Sequence, residues 1–157
     1  MLEEGDRAPD FELVGVEEGE VRTFSLAEAA DEGRVVLAFY PADFSPDCAE
    51  EMCSLRDVDL LTLYDDLTLY GLSTDSVYSH RAFAEEYRLQ FPLLVDSLGD
   101  VAESYGVLHE EIEGHRRLAK RSLFVVDADR RVRYAWATDD PARLPDVDRV
   151  REVLERV

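Results

Sequence analysis

The sequence predicts an α/β domain in which helices flank a mixed β-sheet. Apolar, β-branched and aromatic runs suited to strands alternate with segments whose apolar residues recur at helical spacing. Near the C-terminus, two strand-like runs separated by a short polar segment precede a last helical pattern. Alternating strands and helices, followed by a hairpin and a helix, favour one sheet that contains parallel and antiparallel neighbours.

Five segments carry the strand pattern. Residues 34–40 (RVVLAFY) are almost continuously apolar and fit a buried central strand. The other four follow in chain order at residues 67–73, 92–95, 122–126 and 132–137. The polar DADRR segment between the last two is suited to a hairpin connection.

Four segments carry the helical pattern. The first starts at Pro46, and its apolar residues recur every three positions, at Met52, Leu55, Val58 and Leu61. The other three span residues 79–87, residues 100–105 before Gly106, and the stretch from Pro145 to the end. Because no linker or repeat interrupts these elements, residues 1–157 are expected to form one domain.

Charge is the strongest compositional feature. Asp and Glu number 36 against 17 Lys and Arg, which gives a formal net charge of -19. Such a surface repels nucleic acids and anionic lipids. The absence of a signal peptide or membrane anchor pattern predicts a cytoplasmic protein. Lys120 is the only lysine, and acid excess with lysine depletion favours a halophilic host with a salt-rich cytoplasm over an ordinary acidic protein.

Cys48 lies where a helix is predicted to begin. Ser45 is a suitable N-cap and Pro46 suits the first helical position, which puts Cys48 in the first turn. The positive end of a helix favours a thiolate, so a lowered thiol pKa is expected, with Asp47 opposing it. The alternative is that Cys48 is a small buried apolar residue.

Cys53 follows five residues later on the same predicted helix. Five residues of an intact helix rise about 7.5 Å and rotate about 140°, whereas bridged cysteines need Cα atoms within about 7 Å and facing side chains. A Cys48–Cys53 disulfide therefore requires the helix to unwind. Cys53 is either a resolving thiol or a residue packed in the core.

The motif around Cys48 resembles that of the peroxiredoxins, in particular the bacterioferritin comigratory protein (PrxQ) branch. The family pattern Pro-x-x-x-Thr/Ser-x-x-Cys reads Pro41, Ser45, Cys48, and Cys53 stands where many members of the branch carry a second cysteine. RSLFVVD is similar to the segment that holds the family's active-site arginine, here Arg121. The opening GDRAPDFEL and the middle section are also similar, so the resemblance covers nearly the whole chain.

The resemblance implies a thioredoxin-like fold and a thiol-dependent peroxidase. Cys48 would attack a hydroperoxide and become a sulfenic acid, Cys53 would condense with it, and a thioredoxin-like protein would reduce the disulfide. Ser45 and Arg121 would hold the peroxide and stabilise charge, and Pro41 would shield the sulfur. Without the resemblance, Pro41 could be a strand terminator, Ser45 only a cap and Arg121 a surface charge.

The sequence predicts no metal and no cofactor. His80, His109 and His115 lack metal-ligand spacing and are expected at the surface or in caps, and no Gly-rich phosphate loop is present. Three other functions stay open: a peroxide-responsive redox sensor, a disulfide oxidoreductase and an inert structural relative. The sequence leaves open whether the protein is a monomer or a weak homodimer.

Overall fold

The computed structural model describes all residues from Met1 to Val157. It contains nine strands and six helices. In chain order they are β1 Glu12–Glu17, β2 Glu20–Ser25, α1 Leu26–Glu32, β3 Arg34–Phe39, α2 Pro46–Val58, α3 Leu60–Leu63, β4 Leu67–Ser73, α4 Val77–Tyr87, β5 Leu93–Val95, α5 Asp100–Ser104, β6 Leu108–Ile112, β7 His115–Ala119, β8 Ser122–Val126, β9 Val132–Ala137 and α6 Val147–Arg156.

Seven strands form one mixed sheet in the order β2-β1-β5-β4-β3-β8-β9, and β6 and β7 form a separate hairpin. The central pairs β3–β4 and β4–β5 are parallel, because α2 with α3 and then α4 return the chain to the same end of the sheet. The β3–β8 and β8–β9 pairs are antiparallel. The predicted mixed sheet flanked by helices is thus confirmed.

Both faces of the sheet are buried, which explains the continuously apolar central strands. Even-numbered residues of β3, such as Val36 and Ala38, face α2, α4 and α6, whereas Leu37 and Phe39 face α1 and α5. The helices therefore form one layer on each side of the sheet. None of them has the length and apolar character required of a transmembrane span.

The predicted strands and helices are confirmed, with small shifts at their ends. The helix predicted from Ser79 begins at Val77 and is capped by Ser76, and the helix predicted from Pro145 begins at Val147. Two hairpins were not predicted. Each has a two-residue Glu-Gly turn with positive φ at both residues, at 18–19 between β1 and β2 and at 113–114 between β6 and β7.

The sheet register places Arg121 beside the loop that leads to Cys48. β3 and β8 are antiparallel, and Phe39 at the end of β3 pairs with Ser122 at the start of β8. Arg121 therefore lies next to the loop that leaves β3, and α2 with its two cysteines starts at the end of that loop. Strand pairing brings together residues that are 73 positions apart in the chain.

Replacing Phe124 with Ala should lower the free energy of unfolding by about 3–5 kcal/mol, since a buried aromatic side chain is removed and a cavity is left. The Phe124 side chain is fully buried and packs edge-on against Phe39 and Tyr105. Urea unfolding measures the change. Val21→Ala, at a half-exposed site on β2, is the control and should change stability by less than about 0.5 kcal/mol. Equal effects would contradict the packing described above.

Candidate active site

Cys48 lies in the first turn of α2, as predicted, and is fully buried. The preceding loop leaves β3 through the buried Pro41 and reaches α2 at Ser45 and Pro46. Phe44 in this loop has φ of 66°, which is a strained backbone conformation for a bulky residue. Pro41, Ser45 and Cys48 are therefore held together by one short segment between the central strand and its helix.

Arg121 lies beside Cys48 with its side chain fully buried. Its Nη2 donates a hydrogen bond to the Cys48 Sγ over 3.2 Å, and its Nη1 donates to Glu51 Oε1 over 3.1 Å. Nε and Nη2 both donate to the carbonyl oxygen of Pro141, at 3.0 and 2.8 Å. Arg121 is thus not a surface charge, and its guanidinium is fixed against the sulfur.

Glu51 is a site residue that the sequence reading did not include. It lies three residues after Cys48 on α2, is fully buried, and forms an ion pair with Arg121. Burial raises the pKa of its carboxyl group to about 7, while the Arg121 charge acts in the opposite direction. Its Oε2 is buried without a hydrogen bond. The helical spacing from Cys48 was the signal that could have identified it.

The expected lowering of the Cys48 pKa is wrong for this conformation. Burial raises the pKa of the thiol above its ordinary value, and this outweighs the charge of Arg121, the backbone N–H of Ala42 and the hydroxyl of Ser45, all of which lower it. The helix terminus that favours a thiolate is itself buried, so desolvation opposes ionisation. Asp47, the expected opposing charge, is not among the causes of the shift.

Ser45 stands at the N-cap position of α2, but its side chain makes no capping hydrogen bond. The main chain instead closes the first turn, with the Ala49 N–H donating to the Ser45 carbonyl oxygen over 2.9 Å. The Ser45 hydroxyl lies near enough to the Cys48 thiol to lower its pKa. The predicted side-chain cap is therefore wrong, and the Ser45 hydroxyl acts on the thiol instead.

Cys53 lies on the same helix and is partly exposed, and both cysteines are free thiols. Continuous helix from Pro46 to Val58 keeps the two side chains apart, as the helical geometry requires. The structure thus brings Pro41, Ser45, Cys48 and Arg121 together and leaves Cys53 outside this cluster.

The expectation that the histidines lie at the surface or in caps is wrong for His80, which is completely buried. Its ring and the carboxylates of Asp43 and Asp75 are close enough together to be considered as a metal site. These groups are already hydrogen-bonded to one another and to neighbouring residues. His115 is exposed as expected, and burial lowers the pKa of the partly buried His109.

The comparison with protein families decides the family. Residues 4–135 match the family model described as the AhpC/TSA family. The chain belongs to the AhpC/TSA family. Its members named in the comparisons are peroxiredoxins, and this chain is a peroxiredoxin with thiol peroxidase function. The match covers β1 to β8, ends within β9, and includes Cys48, Glu51 and Arg121.

Individual relatives agree with this assignment. The chain is 35% identical to peroxiredoxin Bcp of Bacillus subtilis over 137 residues, which cover 86% of this chain and 85% of the relative. Its structure matches the crystal structure of peroxidoxin BcpB from Mycobacterium tuberculosis with a TM-score of 0.83 and 33% identity, over 100% and 99% of the two chains. AhpC of Enterococcus faecalis matches with a TM-score of 0.85 and 27% identity, over 98% and 90%. The expected thioredoxin-like peroxiredoxin fold is confirmed.

Substitutions of the two charged neighbours should shift the ionisation of Cys48 in opposite directions. Arg121→Met removes the cation and should raise the pH at which the thiolate forms by roughly 1 to 3 units. Glu51→Gln removes the competing negative charge and should lower that pH. Thiolate absorbance measured against pH tests both, with Arg116→Met on the exposed face of β7 as the control. Shifts of the same sign in the two variants would contradict the described geometry.

Proposed function

We propose that Cys48 is the peroxidatic cysteine of this peroxiredoxin and that Arg121, Ser45 and Pro41 complete its active site. The observation that carries the proposal is the 3.2 Å contact between the Arg121 guanidinium and the Cys48 sulfur, two groups that are both fully buried. A buried arginine held by an acid, a carbonyl group and a thiol is costly to assemble and suits a site that stabilises negative charge.

The first step is attack of the Cys48 thiolate on the terminal oxygen of a hydroperoxide. A sulfur–oxygen bond forms, the O–O bond breaks, and the departing oxygen takes up a proton and leaves as water or an alcohol. Negative charge moves from the sulfur to the departing oxygen, so donors fixed along that path lower the barrier. The Arg121 guanidinium already contacts the sulfur from which that charge departs, and the Ser45 hydroxyl lowers the pKa of the same thiol.

Pro41 and Glu51 have supporting roles in this proposal. Pro41 is buried next to the site, and its ring keeps water away from the sulfur. Glu51 fixes the guanidinium through the 3.1 Å ion pair. A proton taken up by Glu51, whose pKa is raised to about 7, leaves more of the Arg121 charge available to Cys48.

In the second step the Cys53 thiol condenses with the Cys48 sulfenic acid, giving a disulfide and one water. The intact α2 helix prevents this contact, so the first turns of α2 must unwind. The absence of a side-chain cap at Ser45 supports such unwinding, since a capping hydrogen bond contributes about 1 kcal/mol to helix stability. An external dithiol protein of the thioredoxin type then reduces the disulfide.

The surroundings in which this chemistry occurs are also a proposal. The net charge of -19 supports a salt-rich cytoplasm, where counter-ions screen repulsion between the acidic side chains.

Substrates are hydrogen peroxide and organic hydroperoxides, because the proposed chemistry needs only the O–O bond. A monomer or a weak homodimer is compatible with a site built entirely from one chain.

Cys48→Ser should abolish the rapid reduction of hydrogen peroxide, because the nucleophile is lost. Cys53→Ser should still reduce one peroxide per chain but stop at a Cys48 sulfenic acid, which dimedone labels. Stopped-flow mixing of the reduced proteins in concentrated salt, followed by mass spectrometry, measures both. Rapid reduction by Cys48→Ser would overturn the proposal. Oxidation without turnover by wild type supplied with reduced thioredoxin would instead favour a redox sensor.

Adding KCl should raise the urea midpoint of unfolding, because the Debye length falls from about 10 Å at about 0.1 M salt to about 3 Å at 1 M. A variant with Glu12, Glu20 and Glu111 changed to Gln is the control. These acids are exposed and form no ion pair, so their removal should weaken the salt dependence. A midpoint that is independent of salt in both proteins would count against the salt-rich cytoplasm.

A further inference from the structure

A buried polar cluster lies behind the active-site loop. At its centre, the Nδ1 atom of His80 is 2.7 Å from Oδ2 of Asp43, and its Nε2 atom is 2.9 Å from the carbonyl oxygen of Leu94. The side chains of His80 and Asp43 are 0% and 1% exposed. Neither residue belongs to the peroxidase motif, although Asp43 lies between Pro41 and Ser45.

The hydrogen-bond partners limit where the hydrogens of this pair lie. A carbonyl oxygen only accepts, so Nε2 of His80 carries a hydrogen. Asp43 accepts hydrogen bonds from the hydroxyl groups of Tyr40 and Ser79, at 2.7 and 2.8 Å, as an ionised carboxylate does. The 2.7 Å approach of Nδ1 to the Asp43 carboxyl oxygen requires a hydrogen between the two atoms.

The other groups that face His80 agree with a positive charge. A carboxyl oxygen of Asp75 lies within 4.8 Å of both Asp43 and the His80 ring, and its Oδ2 accepts from the Asp43 backbone N–H and from the Ser73 hydroxyl, at 2.8 and 2.6 Å. Burial and the nearby charge of Asp43 raise the pKa of Tyr40, so Tyr40 keeps its proton and donates it. The cluster therefore faces the ring with two carboxylates and no second cation.

The same contacts fix the active-site loop. The Asp43 side chain ties the loop to α4 through Ser79 and His80, and its backbone is tied to Asp75 after β4. The neighbouring Phe44 has a strained φ of 66° and packs against Phe83 of α4. A strained backbone persists only where surrounding contacts hold it. Here the strained Phe44 backbone is held by the hydrogen bonds of Asp43 to Ser79 and His80 and by the packing of Phe44 on Phe83.

We propose that His80 is a positioning residue for peroxide reduction: its buried imidazolium binds Asp43 and holds the loop so that the Ala42 N–H and the Ser45 hydroxyl contact the Cys48 sulfur. The proposal rests on the proposed role of Cys48. Residue 42 precedes Asp43 and residue 45 follows two positions after it, so a shift of Asp43 moves both donors. Loss of the pair removes stabilisation of the thiolate without touching the sulfur itself.

Nitrogen-15 NMR of histidine side chains at neutral pH tests the charge. We expect one ring with both nitrogens protonated, absent from His80→Gln and converted to a neutral ring in Asp43→Asn. His109, whose pKa is lowered by burial, serves as a neutral reference within the same spectrum. A neutral His80 ring in the wild-type protein would overturn the proposal. This result does not depend on whether Cys48 reacts, so it is separate from the test of the proposed function.

Rapid-quench kinetics test the positioning role. His80→Gln can still donate to the Leu94 carbonyl group but carries no charge. We expect it to slow Cys48 oxidation on the order of 10- to 100-fold, as small misplacements of reacting groups do, and to raise the pH at which the Cys48 thiolate forms. Disulfide formation after oxidation should not slow. His115→Gln, at an exposed site on β7, should behave as wild type.

Asp43→Asn removes the carboxylate charge but keeps a side chain of similar shape that can hydrogen-bond to a neutral His80 ring. It therefore separates the effect of the charge on Cys48 from the effect of packing. It should slow the oxidation of Cys48 by at least roughly tenfold, with circular dichroism and the urea midpoint showing that the chain is folded. Wild-type oxidation rates and an unchanged thiolate pH in either folded variant would overturn the proposal. A loss of stability with both kinetic quantities unchanged would likewise show that the pair is only structural.

Discussion

The buried guanidinium of Arg121 is the interaction on which the active site depends. A cation with no exposure to solvent needs negative or polar partners on every side, and this one has a carboxylate, a thiol and a backbone carbonyl group. The partners come from two places: Glu51 and Cys48 from α2, and Pro141 from the segment before α6. The arginine thus requires the helix, the central sheet and the C-terminal segment to be correctly packed before the site exists.

Opposing effects act on the Cys48 sulfur, and burial is the largest of them. Burial disfavours the thiolate, whereas the guanidinium and the two hydrogen-bond donors of the loop favour it. A site of this kind is sensitive to small displacements, because the donors must compensate a large desolvation cost. The hydrogen bonds from Asp43 to Ser79 and His80 restrict such displacements of the loop.

The central part of the fold and most of the site were predictable from the sequence. A continuously apolar run such as residues 34–40 is typical of a buried central strand. The motif residues around Cys48 were also recognisable, because they lie close together in the chain. The hairpins at 18–19 and 113–114 were not predicted, since their strands are rich in charge and their turns use Glu-Gly in place of the Asn-Gly or Asp-Gly signal. Glu51 and His80 were not assigned to the site, because a lone acid or histidine in a sequence shows nothing of its burial. Desolvation of Cys48 depends on packing that no local pattern reports.

The position of the two cysteines on one continuous helix has a consequence for survival under oxidative stress. In the proposed cycle, a sulfenic acid formed at Cys48 waits in the folded pocket until α2 opens, and during that interval a second peroxide converts it to the sulfinic acid. Helix opening and the second oxidation compete, and only the second depends on peroxide concentration. The stability of the first turn of α2 therefore sets the rate of helix opening. That rate in turn sets the peroxide concentration above which the enzyme inactivates itself.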